Sequence, residues 1–357
     1  MKNIVVLCGG RSTEHEIALR SAKTVINELD HEKYYIHAVY IDKQGRFIPI
    51  GLMDHVENPE DLIRTTAHDR LRSIGDFCSY ISLLQGEILV FPVIHGQTGE
   101  DGEIQGFLQV LHLPYVGNGV TASALCMDKG FANEVLRAAG IPEADFIVLT
   151  ESEWRSGDRS YASRIETELG FPCFVKPANN GSSVGVSRAE KSTLEEALKE
   201  AFRYDRRVVI EKAIVGKELE VSVLGNADAR ASLPGSYTTT RTLLDYDAKY
   251  MDKTLVENVP HPLSDAKNQE IQQLALKAYH ALGCEGFARV DIFMDQDERF
   301  YVNEINTFPG MTPSSLAPKL WTSLTGMTFR DYLDAIIEYA QASQTNRAQI
   351  ETSWGNE

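Results

Sequence analysis

The chain has 357 residues, more than one compact unit of roughly 100–200 residues holds, so two or three units are expected. Its 43% hydrophobic and 24% charged residues imply a packed core and exclude a disordered polyelectrolyte. A net charge of −16 excludes a general nucleic-acid surface, so a polyanionic ligand has to be met by a few placed Lys and Arg residues.

Residues 3–8 read as a buried parallel strand ended by Gly9-Gly10, and Thr13-x-x-Glu16 has the form of a capping box opening a helix to about Asn27. The opening apolar run is too short for a secretory leader, and no stretch approaches the ~20 apolar residues of a membrane span. Strands at Tyr35–Ile41 and Glu87–Ile94 and a helix at Asp101–Leu111 extend an open α/β sheet, whereas Met53–Ser79 is weakly patterned and reads as polar helix or loop. Gly117-Asn-Gly119-Val-Thr-Ala122 has the form of a dinucleotide fingerprint but lies far from the first βα turn, where such a site belongs. A helical run from Ala122 to Ala139 stops at Gly140-Ile-Pro142. Short strands at Asp145–Leu149, Cys173–Lys176, Val184–Ser187 and Val208–Lys212 surround a helix at Leu194–Tyr204, a small α+β unit. A strand at Val221–Leu224, a long polar segment at Ser236–Val259, a helix at Ala266–Leu282, two strands within 286–306 and a closing helix at Phe329–Gln341 follow.

Two segments carry chemistry. Lys176 ends an apolar strand and leads into Asn179-Asn-Gly-Ser-Ser-Val-Gly185, where small residues free backbone N–H groups to face a phosphate; a plain hairpin turn is the other account. On the strands within 286–306, side chains alternate faces, so Arg289 shares a face with Asp291, and Glu304 with Asn306. If these strands pair, the oxygens suit Mg²⁺ or Mn²⁺ arriving with a nucleotide; a buried ion pair, with Arg289 neutralising Asp291 or Glu304, explains the same residues. The five cysteines are scattered and lack CxxC spacing, which gives neither a disulfide framework nor a zinc site and points to a reducing, cytoplasmic setting. Cys126 and Cys284 lie in apolar surroundings and read as packing residues.

Further motifs accompany these: Gly-Gly-x-Ser-x-Glu14, His95-Gly-x-x-Gly-Glu-Asp-Gly102, Met127-Asp-Lys129, Val175-Lys-Pro, Gly181-Ser-Ser-Val-Gly185, Ile210-Glu-Lys212, Asp245-Tyr-Asp-Ala-Lys-Tyr250, Ala288-Arg-x-Asp291 and Asn303-Glu-Ile-Asn-Thr-x-Pro-Gly310. Together, and in this order over residues 4 to about 320, they resemble the D-alanine–D-alanine ligases, a family of ATP-grasp enzymes.

The resemblance implies a three-domain ATP-grasp fold of α/β and α+β parts. Residues 1–120 would be an N-terminal open parallel α/β substrate-binding domain, 121–212 a central domain with the Gly-Ser loop, and 213–357 a C-terminal domain with a lid and a metal site. ATP would lie between the last two, with Lys129, Lys176, Ser182 and Ser183 at its phosphates, Glu211, Lys212 and Ile214 at the adenine, and Glu218 at the ribose. Ala213 stands where the family often has tryptophan, a departure that alters packing beside the base. Asp291, Glu304 and Asn306 would hold two Mg²⁺ (or Mn²⁺) ions. The implied reaction joins two D-alanines through an acyl phosphate, releasing ADP and phosphate for peptidoglycan precursors, with Arg289 and the Gly310 N–H stabilising the tetrahedral intermediate. Glu14 would bind the first ammonium group, or simply cap its helix; Ser182 and Tyr250 would bond with it, and Lys249 would reach the γ-phosphate or reacting carboxylate. Ser315 and Leu316 would meet the second substrate. His95, Glu100 and Asp101 would stand near the substrate end, unless His95 is a satisfied core histidine. The segment around Asp245–Tyr250 reads as a lid, and Tyr250 favours D-alanine over D-lactate as second substrate. Alternatives are a D-alanine–D-lactate or D-alanine–D-serine ligase and a non-catalytic ATP-binding protein; a homodimer without nucleic-acid or membrane partners is expected.

Overall fold

The computed structural model describes residues 1–238, 256–312 and 314–351. Its first βα unit is β1 (Lys2–Gly9) with α1 (His15–Glu28), followed by β2 (Tyr34–Ile41), β3 (Phe47–Leu52), α2 (Arg70–Leu83), β4 (Ile88–Val93) and α3 (Glu103–Val110). These strands lie in the order β3-β2-β1-β4, with β1 parallel to both neighbours. The sheet is not wholly parallel, as the pattern predicts, because β3 returns antiparallel to β2. The connection is a tight turn in which Asp42 accepts the Gln44 and Arg46 N–H groups, far too short for a parallel crossover. The predicted capping box is also absent. Ser12 Oγ takes the Glu14 N–H at 3.1 Å, α1 starts at His15, and Glu16 turns outward to Lys43.

The single helix expected over 122–139 is two, α4 (Val120–Met127) and α5 (Lys129–Ala138), because the Asp128 carboxylate accepts the Phe131 N–H and starts α5. Lys129 thereby becomes the first residue of a helix. The next elements are β5 (Phe146–Thr150), α6 (Glu151–Arg155), α7 (Ser160–Glu168), β6 (Cys173–Pro177), β7 (Ser187–Ala189), α8 (Leu194–Ala201) and β8 (Arg207–Lys212), with an antiparallel sheet in the order β5-β8-β6-β7.

The last part contains β9 (Gly216–Leu224), β10 (Arg230–Ala231), β11 (Ser236–Thr238), β12 (Val256–Asn258), α9 (Asp265–Ala281), β13 (Phe287–Asp295), β14 (Phe300–Asn306), α10 (Leu316–Thr325) and α11 (Phe329–Ala348). A second antiparallel sheet has the order β10-β9-β13-β14, while β11 pairs with β12. The expected lid, Lys249 and Tyr250 included, lies outside the described residues.

Packing ties the parts together. Ala122, Cys126, Ala132 and Leu136 of α4 and α5 share a core with β9, β13 and α9, and Tyr332, Leu333 and Ile336 of α11 share one with Ile4, Val6 and Phe91 of the N-terminal sheet. Asn118 is a staple between the same regions. Its amide donates to the Phe287 and Thr307 carbonyls at 2.8 Å each, and its oxygen accepts the Glu285 N–H at 2.9 Å. Gly117, at φ +107°, lets the chain pass close to Phe308 and Phe287. The Gly117–Ala122 segment is thus a structural joint between sheets.

Candidate active site

Directly opposed residues of an antiparallel sheet share a face, and the register sets Asp291 between Glu220 and Glu304, with Arg289 between Ser222 and Asn306 in the next row. Arg289 donates to both Asp291 oxygens at 2.6 and 2.7 Å and lies 3.3 Å from Glu220. Burial opposes the guanidinium charge, but Asp291, Glu220 and Glu304 outweigh it and hold the Arg289 pKa well above its ordinary value. Glu304 pairs with Lys129 at 3.2 Å. The buried ion pair and the oxygen-rich face are therefore the same set of residues.

No group of three or more His, Cys, Asp or Glu side chains among the described residues could hold a metal alone. Asp291, Glu304 and Asn306 instead present two carboxylates and an amide oxygen, a donor set that fits a hard divalent cation sharing phosphate oxygens. The Asn306 oxygen also accepts the Phe308 N–H at 3.1 Å, which folds the chain toward Gly310.

A register shift beside Asp291 makes Asn303 the extra residue of a β-bulge. Strict alternation assigns Asn303 to the face opposite Glu304, yet it reaches across the cleft. Its Oδ1 accepts from Lys176 at 3.2 Å and its Nδ2 donates to Glu218 at 2.9 Å. Nothing in a period-two pattern announces a bulge, so this residue escapes a sequence-based assignment.

Lys176 lies 2.6 Å from the buried Glu211. Burial alone lowers the ammonium pKa, but Glu211, with Glu304 and Glu218 behind it, raises it, and the lysine stays charged. Lys129 donates to the Asn180 carbonyl at 2.8 Å, tying α5 to the Gly-Ser loop. Ser182 and Ser183 hold φ of 51° and 57°, a left-handed conformation that side chains seldom adopt and that tertiary contacts must impose. One such contact is a 2.5 Å hydrogen bond from Ser182 Oγ to Glu14. The Glu14 side chain makes no capping bond to its own helix, so the cap account of this residue fails.

A cavity of about 110 Å³ is lined by Glu14, His95, Lys129, Ser182, Ser183, Arg289, Glu304, Asn306 and Gly310. His95 contacts Ser21 at 2.9 Å, the Phe308 carbonyl at 3.2 Å and Glu100 at 3.4 Å. Burial pushes Glu100 up to about 7 against the pull of His95. Asp101 is spent on the Thr98 and Glu103 N–H groups and is a turn residue.

The remaining candidates spread outward from the cavity. The Lys212 N–H is taken by the Asp145 carbonyl at 2.9 Å, and its side chain is exposed. Ile214 lies in the link from β8 to β9, and Glu218 near the start of β9. Ser315 precedes α10, with its hydroxyl 2.9 Å from that of Thr312, while the Leu316 side chain is buried. Cys126 and Cys284 are free, buried packing residues whose sulfurs lie 3.7 Å apart.

Family models described as "D-ala D-ala ligase N-terminus" and "D-ala D-ala ligase C-terminus" match residues 3–118 and 135–338. The chain is 43% identical to a D-alanine–D-alanine ligase of a Thermoanaerobacter species, covering 98% of this chain and 99% of the relative. It is 38% identical to that of Enterococcus faecalis, over 94% and 98% of the two chains. Among solved structures it resembles the D-alanine–D-alanine ligase of Coxiella burnetii, with a TM-score of 0.80 and 35% identity over 98% of this chain and 96% of that one. The D-Ala:D-Ser ligase VanG of Enterococcus faecalis has a TM-score of 0.77 and 29% identity over 95% and 99% of the two chains. With two antiparallel sheets facing a cleft, and family models matching most of its length, the chain belongs to the D-alanine–D-alanine ligase family of ATP-grasp enzymes.

Proposed function

We propose that the protein is an ATP-dependent D-alanine–D-alanine ligase. The observation that carries this reading is the Ser182–Glu14 hydrogen bond of 2.5 Å, which joins the phosphate loop to the N-terminal sheet at a cavity also lined by Arg289 and Glu304. It supports a site where a triphosphate and a small amino acid meet.

In this proposal the carboxylate of the first D-alanine attacks the γ-phosphorus of ATP, giving an acyl phosphate and ADP. The amine of the second D-alanine then adds to the acyl carbon, and phosphate leaves with the bridging oxygen. Glu14 holds the first ammonium group, and Ser182 fixes the Glu14 rotamer. Lys129, Lys176 and the loop at Ser182 and Ser183 orient the phosphates, while Glu211, Lys212 and Ile214 line the base and Glu218 the ribose. Arg289 and the Gly310 N–H take the charge of the tetrahedral oxyanion, and Ser315, at a helix start, receives the second carboxylate. Asp291, Glu304 and Asn306 hold Mg²⁺ or Mn²⁺, which neutralises phosphate charge when bound. Lys249 and Tyr250 belong to the same proposal. So do division into units at residues 120 and 212, a homodimer and a cytoplasmic location. No helix among the described residues is long and apolar enough to cross a membrane.

The test is phosphate release with D-alanine, D-lactate and D-serine offered singly and in pairs. Release with D-alanine alone is the expected result. Release only when D-lactate or D-serine accompanies D-alanine would make the protein the corresponding mixed ligase, and no release with any pair would leave an ATP-binding protein.

A further inference from the structure

Asn303 stands where the two ATP-grasp sheets face each other, and its contacts are chemically one-way. Lysine can only donate and an ionised carboxylate can only accept, so the amide has one orientation that satisfies both Lys176 and Glu218. With the 2.6 Å Lys176–Glu211 pair, this makes a line Glu211–Lys176–Asn303–Glu218 that runs from β8 and β6 of one sheet to β14 and β9 of the other. An ammonium has three protons, so the described contacts to Glu211 and Asn303 leave one for a phosphate oxygen. The bulge creates this arrangement, because in a regular strand Asn303 would share the core face with Ile305.

We propose that Asn303 is a positioning residue for the nucleotide: it sets the phosphate-binding Lys176 against the ribose-binding Glu218, so that the two ends of ATP are recognised as one unit. This rests on the reading that ATP lies in this cleft. Leucine is similar in size but serves neither partner, and aspartate keeps Lys176 while repelling Glu218.

The experiment measures KM and kcat of Asn303→Leu and Asn303→Asp with ATP and with 2′,3′-dideoxy-ATP, which lacks the hydroxyls Glu218 would hold. The expected result is a rise in KM for ATP of about tenfold with kcat within about threefold, and a much smaller rise, below about threefold, for the dideoxy nucleotide. A general packing defect would raise both KM values equally; that outcome, or an unchanged KM for ATP, overturns the proposal. Should Asn303→Leu fail to fold, as judged by its melting curve, the isosteric Asn303→Asp carries the same comparison. Lys176→Ala and Glu218→Ala separate the two levels. If they too leave the KM for ATP unchanged, the ATP-cleft reading falls; if they raise it while the Asn303 variants do not, only the positioning role falls.

Discussion

Two sheets of this molecule bury their central strands in opposite ways. β1 of the N-terminal sheet is covered on both faces and fills them with Ile4, Val5, Val6 and Leu7, all fully buried. β13 of the C-terminal sheet alternates Val290 and Ile292, in the core, with Arg289 and Asp291, which are also enclosed but face the cleft. The first strand gains transfer energy on both of its faces. The second sets part of that gain against charges that must be mutually satisfied, since a buried ion pair is at best weakly stabilising. A fold selected for stability alone would fill positions 289 and 291 with apolar residues, and their polarity marks this face as functional.

Variants can break or sharpen this contrast. The largest effect is expected at Glu304→Gln, which removes a cleft carboxylate and should lower kcat at least ~1,000-fold, about 4 kcal/mol of barrier, in a phosphate-release assay. Because the Lys129–Glu304 pair is partly exposed, stability should change by less than about 1 kcal/mol. The reverse pattern is expected at Ile4→Ala, where a fully buried side chain is lost from β1. Chemical denaturation should report a loss of about 3 kcal/mol, with kcat per folded molecule retained. Ser182→Ala should lower kcat/KM for D-alanine by roughly 30-fold, about 2 kcal/mol, through loss of a charge-assisted hydrogen bond to Glu14.

The smallest effect is expected at Glu143, on the linker beside β14. Its Oε2 is buried without a partner among the described residues, while Arg137 reaches Oε1 at 3.1 Å. Burial, opposed by Arg137 and assisted by Glu211 and Glu134, pushes its pKa up from 4.5 to about 7. A raised folded-state pKa means that the stability it contributes is present below about pH 4.5 and lost as pH climbs through about 7. Glu143→Gln cannot titrate. Melting curves should therefore show the variant more stable than wild type above pH 7, by on the order of 1 kcal/mol, with the gap closing in acid.

The same contrast explains what could be read from sequence. Continuous apolar runs and glycine stops placed β1, β2 and β4, and alternation placed Arg289, Asp291, Glu304 and Asn306 on one face, as the register bears out. What escaped depends on tertiary choices. β3 carries Pro49 and Gly51 and pairs only because the Asp42 turn returns it. Helix α4 ends where the Asp128 side chain outcompetes continuation. Asn303 enters the site through a bulge, and Asp101 leaves it because two backbone amides claim its carboxylate.

The most direct test of the account follows oxygen. D-Alanine labelled with ¹⁸O in its carboxylate is turned over with unlabelled ATP, and the released phosphate is analysed by mass. If the cleft activates that carboxylate as an acyl phosphate, each phosphate carries one labelled oxygen. Phosphate without label, formed while dipeptide accumulates, would contradict it.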